Sequence, residues 1–282
     1  MADKELLPVF QDAKETLCKY DYYIHTPKRI LHLTNTEEKI PHLMGLQYIG
    51  AEKFTGDSGA YLIKKERIKR KSIEVMTRKL YHKESLRTSI QSMIYGKIDH
   101  IDQIKEMFSN ASVLYLYDTK KNPESEFKTD YLMVYQTTKQ VFQLGLIKSK
   151  IKEKNLCHCN SFMVTYTSND DYDQYYRNLQ NRYEILKIVR EEKATKKSEV
   201  IFQSDQASAR ELAGIEKMLQ TAGFDYNEKL LKMILRLNIK FGKYHTIDML
   251  NDSETLSNQC RNPRDKNLVN DFLKLWEESK NN

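Results

Sequence analysis

His42 is the residue best placed by the sequence to move a proton. It lies in the run Asn35-Thr36-Glu37-Glu38-Lys39-Ile40-Pro41-His42-Leu43-Met44-Gly45-Leu46. Asn35 followed by acids reads as a helix N-terminus, and Pro41 suits a first helical position. His42 then falls in a first turn, where the helix dipole lowers an imidazole pKa. Ser161 and Thr165 lie in an alternating segment that puts both hydroxyls on one face of a strand, where they can donate to a phosphate. Lys148, Lys154, Arg67 and Arg78 are candidate cations, and nothing local ranks them. These residue types match the needs of metal-free RNA cleavage. That chemistry takes a base for the 2′-hydroxyl proton, an acid for the leaving 5′-oxygen and a cation for the charged phosphorane. His32 is a second candidate acid or base. Each residue also has an ordinary role. Composition alone favours a capping or packing histidine at position 42, and hydroxyls on a half-exposed strand are usually just solvated.

Other chemistries fit less well. Cys157-His158-Cys159 packs three metal-ligating types into one loop, but a structural zinc site wants four ligands, usually as two spaced pairs. Asp170, Asp171 and Asp173 could bind magnesium, yet acids at a helix start more often just stabilise the helix. The chain has no phosphate-binding glycine loop, no zinc-protease helix signature and no nucleophile elbow. No metal or cofactor is therefore expected. Four cysteines in 282 residues do not make a disulfide framework, which suggests reduced thiols in a cytoplasm. Residues 1–10 are polar, and no stretch approaches ~18 continuous apolar residues, so neither an export signal nor a membrane span is expected.

The elements that must carry these residues centre on 112–167. Four apolar, Tyr- and Val-rich segments at 113–118, 129–138, 140–148 and 159–167 read as strands separated by turns. The expected fold class is α+β: a four-stranded antiparallel sheet packed with N- and C-terminal helices, plus a helical C-terminal extension. In the last strand Phe162, Val164 and Tyr166 share one face, while Ser161, Met163, Thr165 and Thr167 share the other. Residues 3–20 show helical periodicity through Leu6, Leu7, Phe10, Ala13, Leu17 and Cys18, and 29–34 alternates like a short strand. The segment 61–81 reads as mainly helical and basic. Two further helices, 84–94 and 98–108, are expected to join at Gly96. From 168 to about 192, Tyr172, Tyr175, Tyr176, Leu179, Tyr183, Leu186 and Val189 recur at the three-and-four spacing of a buried helix stripe. The polar run 191–200 marks a boundary between a domain at 1–192 and a helical domain at 200–282. In the latter, Leu230, Leu231, Ile234, Leu235, Leu237 and Ile239 are apolar on nearly every side of their helix. That suggests burial against the sheet domain or a homodimer through these helices.

The charge is concentrated. Residues 61–90 hold ten Lys/Arg and three Glu, which equals the whole net charge of +7. Concentrated positive charge attracts polyanions by counterion release. Lys64, Lys65, Arg67, Lys69, Arg70 and Arg78, with Lys150 and Lys154 after the third strand, are the expected RNA-binding residues. A solvated helix face is the commoner meaning of a single basic run, but two clusters flanking one sheet favour nucleic acid.

Three short motifs fall in a telling order. His42-Leu43-Met44-Gly45-Leu46 precedes the basic helical region, Leu144-Gly145-Leu146-Ile147-Lys148 forms a strand, and Asn160-Ser161-Phe162 enters the last strand. Over roughly residues 22–190 the chain resembles the phage-associated barnase/EndoU/colicin E5–D/RelE-like nucleases, in particular their fourth phage group. The resemblance implies helices packed on a four-stranded antiparallel sheet and an RNA-cleaving, metal-independent site on the sheet's open face. It also implies service in phage, mobile-element or toxin systems, with an antitoxin or immunity protein as a partner. On the motifs, His42 matches the family histidine, Ser161 the hydroxyl at the last strand, and Lys148 only a position on a strand. The favoured function is a cytoplasmic endoribonuclease, a hydrolase acting by 2′-hydroxyl attack, with His42, Ser161, Lys148 and Thr165 as catalytic residues. The alternative is a non-catalytic nucleic-acid-binding or partner-binding protein on the same scaffold.

Overall fold

The computed structural model of the chain describes residues 5–50, 54–110, 112–121, 128–149, 155–166, 182–224, 226–241, 247–258, 260 and 263–280. The chain divides into two compact units, Met1–Lys196 and Lys197–Asn282.

The first unit starts with α1 (Leu6–Leu17), whose buried stripe is Leu6, Val9, Phe10, Ala13 and Leu17. Strands β1 (Tyr20–His25) and β2 (Ile30–Leu33) follow as an antiparallel hairpin that pairs Tyr22 with Leu33 and Ile24 with Leu31. A 3-10 turn at Glu37–Lys39 leads into the single-turn α2 (Ile40–Leu43), which Gly45 closes at φ +83°. Four helices come next: α3 (Gly56–Lys64), α4 (Arg70–Leu80), α5 (Glu84–His100) and α6 (Gln103–Ser109). Strands β3 (Val113–Leu116), β4 (Tyr131–Gln136), β5 (Gln140–Lys148) and β6 (Leu156–Tyr166) are consecutive antiparallel neighbours. Then come β7 (Arg182–Glu184) and β8 (Lys187–Glu192).

These strands correct the expected fold class. The sheet has nine strands in the order β7-β3-β4-β5-β6-β2-β1-β8-β9, β9 being Ser198–Gln203, and it is mixed because β2 runs parallel to β6. A four-stranded sheet would leave β3 and β6 as edges, with rows of unpaired backbone groups open to non-native pairing. Here β7 pairs with β3, and β2 covers β6 through His32 opposite Leu156 and Leu33 opposite Cys157.

Two local readings also change. The expected helix at 168–192 falls partly on 168–181, outside the described residues, and its remainder is the strands β7 and β8. There Tyr183 opposes Leu114, and Val189 opposes Tyr23, so cross-strand pairing overrides the helical spacing. Gly96 does not separate two helices, because α5 runs through it to His100. Ile94, Ile98 and Ile101 are almost fully buried on one side of that continuous helix, and the packing holds it together across the glycine.

The two faces of the β4-β5-β6 region follow from the register. Residues opposite one another in an antiparallel ladder share a face. Phe142, Leu144 and Phe162 lie on the face that meets the helices, where His100 of α5 approaches Phe142 with ring centroids 5.9 Å apart. Leu132, Val134 and Val141 lie on the other face with Tyr117.

The second unit holds β9, α7 (Asp205–Thr221), α8 (Glu228–Phe241), α9 (Ile247–Asn251), α10 (Ser253–Asn258) and α11 (Pro263–Lys280). Its core includes Leu219, Leu230, Ile234, Leu237, Phe272 and Trp276, with Leu231 and Leu235 packed at its margin. The apolar residues of α8 thus find burial inside their own unit.

Candidate active site

The site is built where α2 and α5 pack on β6. Its foundation is an irregularity in the sheet. Gly145 opposes Ser161 and Leu146 opposes Cys159, so Asn160 is an extra residue with no cross-strand partner. Such a bulge leaves backbone groups free of the ladder. Side-chain bonds pin it from both sides. The Cys159 backbone N–H donates to Asn35 Oδ1 at 2.7 Å, and Asn160 Nδ2 donates to the Lys128 carbonyl at 2.7 Å.

His42 meets this bulge. Its imidazole hydrogen-bonds the Asn160 backbone in a way that favours the protonated ring. The opposing influences win, and the His42 pKa lies below the ordinary 6.5. Burial is the largest cause, followed by the positive charges of Lys97 and Lys39. A half-buried, neutral imidazole near pH 7 is able to accept a proton.

Lys97 is the neighbour that sequence reading missed. It lies on α5 between Ile94 and Ile98, only 3% exposed, and burial lowers its ammonium pKa to about 8. Its Nζ stands over the Tyr48 ring, 5.4 Å from the centroid. Among the described residues no carboxylate pairs with it and no hydrogen bond holds it. Gly45 makes the approach possible, since a Cβ there would stand 3.1 Å from Lys97 Cδ and 3.5 Å from Ile94 Cγ1. The two ends of the His-Leu-Met-Gly motif therefore serve one lysine: His42 feels its charge and Gly45 makes room for its stem. A signal for Lys97 was present in the sequence. Positions 94, 97, 98 and 101 form one stripe at three-and-four spacing, and a lysine inside an apolar stripe is unusual.

The other expected catalytic residues do not gather at this centre, and Ser161 and Thr165 lie on the sheet face opposite the one that meets the helices. Ser161 follows Asn160 in sequence and faces Gly145; Thr165 lies on that same face opposite Val141, whose carbonyl accepts from Thr165 Oγ1 at 3.5 Å. That face is not open at its middle, because Val141 and Gln143 are both fully buried. Lys148 lies three positions beyond Gly145 on β5, roughly 10 Å along the strand at ~3.3 Å per residue. Its Nζ is 3.9 Å from Asp130 Oδ1 and 5.3 Å from the Tyr131 ring centroid. His32 stacks on Tyr23 at 4.8 Å, with its Nε2 3.8 Å from Asp21.

The basic residues divide by partner. Arg70 makes a bidentate pair with Asp99 at 2.7 and 3.0 Å and stacks over Tyr95 at 4.3 Å. Lys64 pairs with Glu37, which Lys14 also reaches at 2.9 Å. Lys65, Arg67, Lys69 and Arg78 are exposed, with Arg67 over the Tyr61 ring. Lys65, Arg67 and Lys69 lie in the turn between α3 and α4 and Arg78 on α4, and exposed Tyr61, Val75 and Leu80 lie on those two helices. Lys150 and Lys154 lie outside the described residues. Cys157 and Cys159 are buried free thiols whose pKa values burial pushes up to about 11 and about 12, and His158 Nδ1 lies 2.8 Å from the Thr34 carbonyl.

Helices packed on a mixed sheet, with a shielded histidine and an unpaired lysine at a strand bulge, describe a site suited to an anionic substrate. The family comparison gives that substrate its context. The family model of the phage-Barnase-EndoU-ColicinE5/D-RelE like nuclease4 matches residues 5–207, and the chain belongs to that family. A nuclease function in general follows from this membership. No curated protein and no solved structure matches the chain. Among the described residues no helix is long and apolar enough to cross a membrane.

Proposed function

We propose that this protein is a metal-independent endoribonuclease, acting in the cytoplasm in a phage, mobile-element or toxin setting, whose reaction centres on His42. The observation that carries the reading is the environment of His42: a half-buried imidazole, lowered in pKa by burial and by Lys97, and held against the Asn160 backbone. Neutral His42 takes the 2′-hydroxyl proton as the 2′-oxygen bonds to phosphorus. The bond to the 5′-oxygen breaks, and that oxygen takes up a proton from water. The products are a 2′,3′-cyclic phosphate and a 5′-hydroxyl. Magnesium needs several oxygen ligands, and the groups beside His42 are cations and a backbone, which suits a mechanism driven by the protein's own charges. The exposed cations of α4 and of the turn between α3 and α4 would hold flanking phosphates.

The test is incubation of the purified protein with tRNA or total RNA in EDTA, beside His42→Ala. Cleavage to cyclic-phosphate ends, lowered about 10²–10⁴-fold in the variant, is expected. Absence of cleavage, or equal cleavage by both proteins, overturns the mechanism.

A second reading draws on the exposed basic and apolar surface of α3 and α4, which needs no chemistry to bind a polyanion. A non-catalytic nucleic-acid-binding protein would show salt-sensitive RNA binding without turnover and no arrest of growth on expression. The nuclease reading expects growth arrest unless an antitoxin or immunity protein is supplied.

A further inference from the structure

A buried lysine normally has a carboxylate beside it, because an uncompensated charge in a low-dielectric surround costs several kcal/mol. Lys97 breaks that pattern. It is 3% exposed, sits within the apolar stripe of Ile94, Ile98 and Ile101, and has no ion pair or hydrogen bond among the described residues. Its charge and that of Lys39 both weigh on His42. The Tyr48 ring face offers the ammonium only a weak electrostatic partner. Gly45, whose missing side chain admits the lysine stem, shows that the fold is arranged around this placement. Nothing in the packing explains a charge here, whereas an anion arriving between Lys97 and His42 would.

We propose that Lys97 and His42 form a receptor for one phosphate group, and that Lys97 is the catalytic cation that neutralises the non-bridging oxygens of the scissile phosphodiester. This rests on the nuclease reading for its catalytic part, while the phosphate receptor stands without it. It also replaces Lys148, engaged near Asp130, as the transition-state lysine. In the reaction, the 2′-oxygen–phosphorus bond forms and the phosphorus–5′-oxygen bond breaks as before. Lys97 keeps its proton throughout and supplies charge alone.

The experiment uses the full chain and the variants Lys97→Met and Lys217→Ala, the latter removing an exposed lysine of α7 in the second unit. Thermal unfolding is followed with inorganic phosphate against matched chloride, and with a 2′-deoxydinucleotide that cannot be cleaved. The wild-type protein and Lys217→Ala should gain melting temperature with phosphate and with the dinucleotide. Lys97→Met should lose both gains while melting higher than wild type in chloride, because its buried charge is gone. Proton NMR titration of His42 should show a higher midpoint in Lys97→Met, and added phosphate should raise the midpoint in wild type but not in that variant, a response that a purely structural lysine would not give. On RNA, Lys97→Met should lose about 10²–10³ in kcat, the usual loss on deleting one oxyanion donor. Phosphate stabilisation that survives unchanged in Lys97→Met, or a variant less stable than wild type in chloride, overturns the proposal. Lys97-dependent phosphate binding in a protein that cleaves no RNA upholds the receptor and refutes only the nuclease reading. RNA cleavage with Lys97-independent phosphate binding does the reverse.

Discussion

Lys97 depresses the pKa of His42 from a different helix, α5 acting on α2, with no carboxylate among the groups that set either pKa. Under the proposed reaction, His42 must be neutral and Lys97 must stay charged, and the one acts on the other. The pH dependence of cleavage should show both. As pH falls through the lowered His42 value, below 6.5, the base is lost and kcat/KM drops. As pH rises past about 8, Lys97 loses its proton and kcat/KM drops again. A bell-shaped profile for wild type, whose alkaline limb disappears in Lys97→Met, is the expected measurement.

The same lysine should weigh on stability. Its pKa falls from 10.5 to about 8 on folding, so the unfolded chain holds the proton more tightly between those values. The stabilising contribution is complete above 10.5 and is lost as pH falls through about 8. At pH 7 Lys97→Met should therefore be more stable than wild type by about 1–3 kcal/mol. Urea unfolding at pH 7 and pH 10 should show that gap narrowing at the higher pH.

Arg70 and Arg78 are both expected RNA-binding cations, but their surroundings separate them. The guanidinium of Arg70 is committed to Asp99 in a largely buried pair, with side-chain exposures of 13% and 22%. Arg70→Gln should cost about 2–4 kcal/mol, since it removes both charge-assisted hydrogen bonds from a mostly buried Asp99 carboxylate. Arg78 is exposed, and Arg78→Ala should leave stability within about 0.5 kcal/mol while reducing the salt slope of RNA binding by about 1. Denaturant unfolding and salt-dependent binding of the two variants check this division.

Gly59 supports α2 from behind. A Cβ at that position would meet the Phe54 carbonyl oxygen at 2.3 Å and Pro41 Cβ at 3.0 Å. The oxygen belongs to the backbone and Pro41 precedes His42, so one of these elements must move. Gly59→Ala should destabilise by about 1–3 kcal/mol and lower cleavage by shifting His42. Unfolding and steady-state kinetics on the same preparation test both effects.

In the second unit, Trp276 is 1% exposed, stacks on Phe224 at 4.8 Å and donates its indole N–H to Asn251 Oδ1 at 3.0 Å. Trp276→Ala should cost about 3–5 kcal/mol, measured by urea unfolding followed by circular dichroism.

The sequence by itself determined what depends on neighbours along the chain. The periodicity of Leu6, Phe10, Ala13 and Leu17 set α1, and an apolar run between turn residues set β5 at Gln140–Lys148. Proline at 41 placed His42 in a short helix, and the motif around it pointed to the nuclease family. The tertiary structure decided what depends on distant partners. Strands β1, β7 and β8 exist because the flanks of the β3–β6 meander needed covering, a demand that Tyr20–His25 and Arg182–Glu192 do not signal locally. The extra residue at Asn160 becomes visible only when β5 is laid against β6. Lys97, in a segment that reads as a break at Gly96, gained its meaning when the continuous α5 carried it past Gly45 to His42. A pKa is set by burial and nearby charge, and both arise only when helices remote in sequence are packed together.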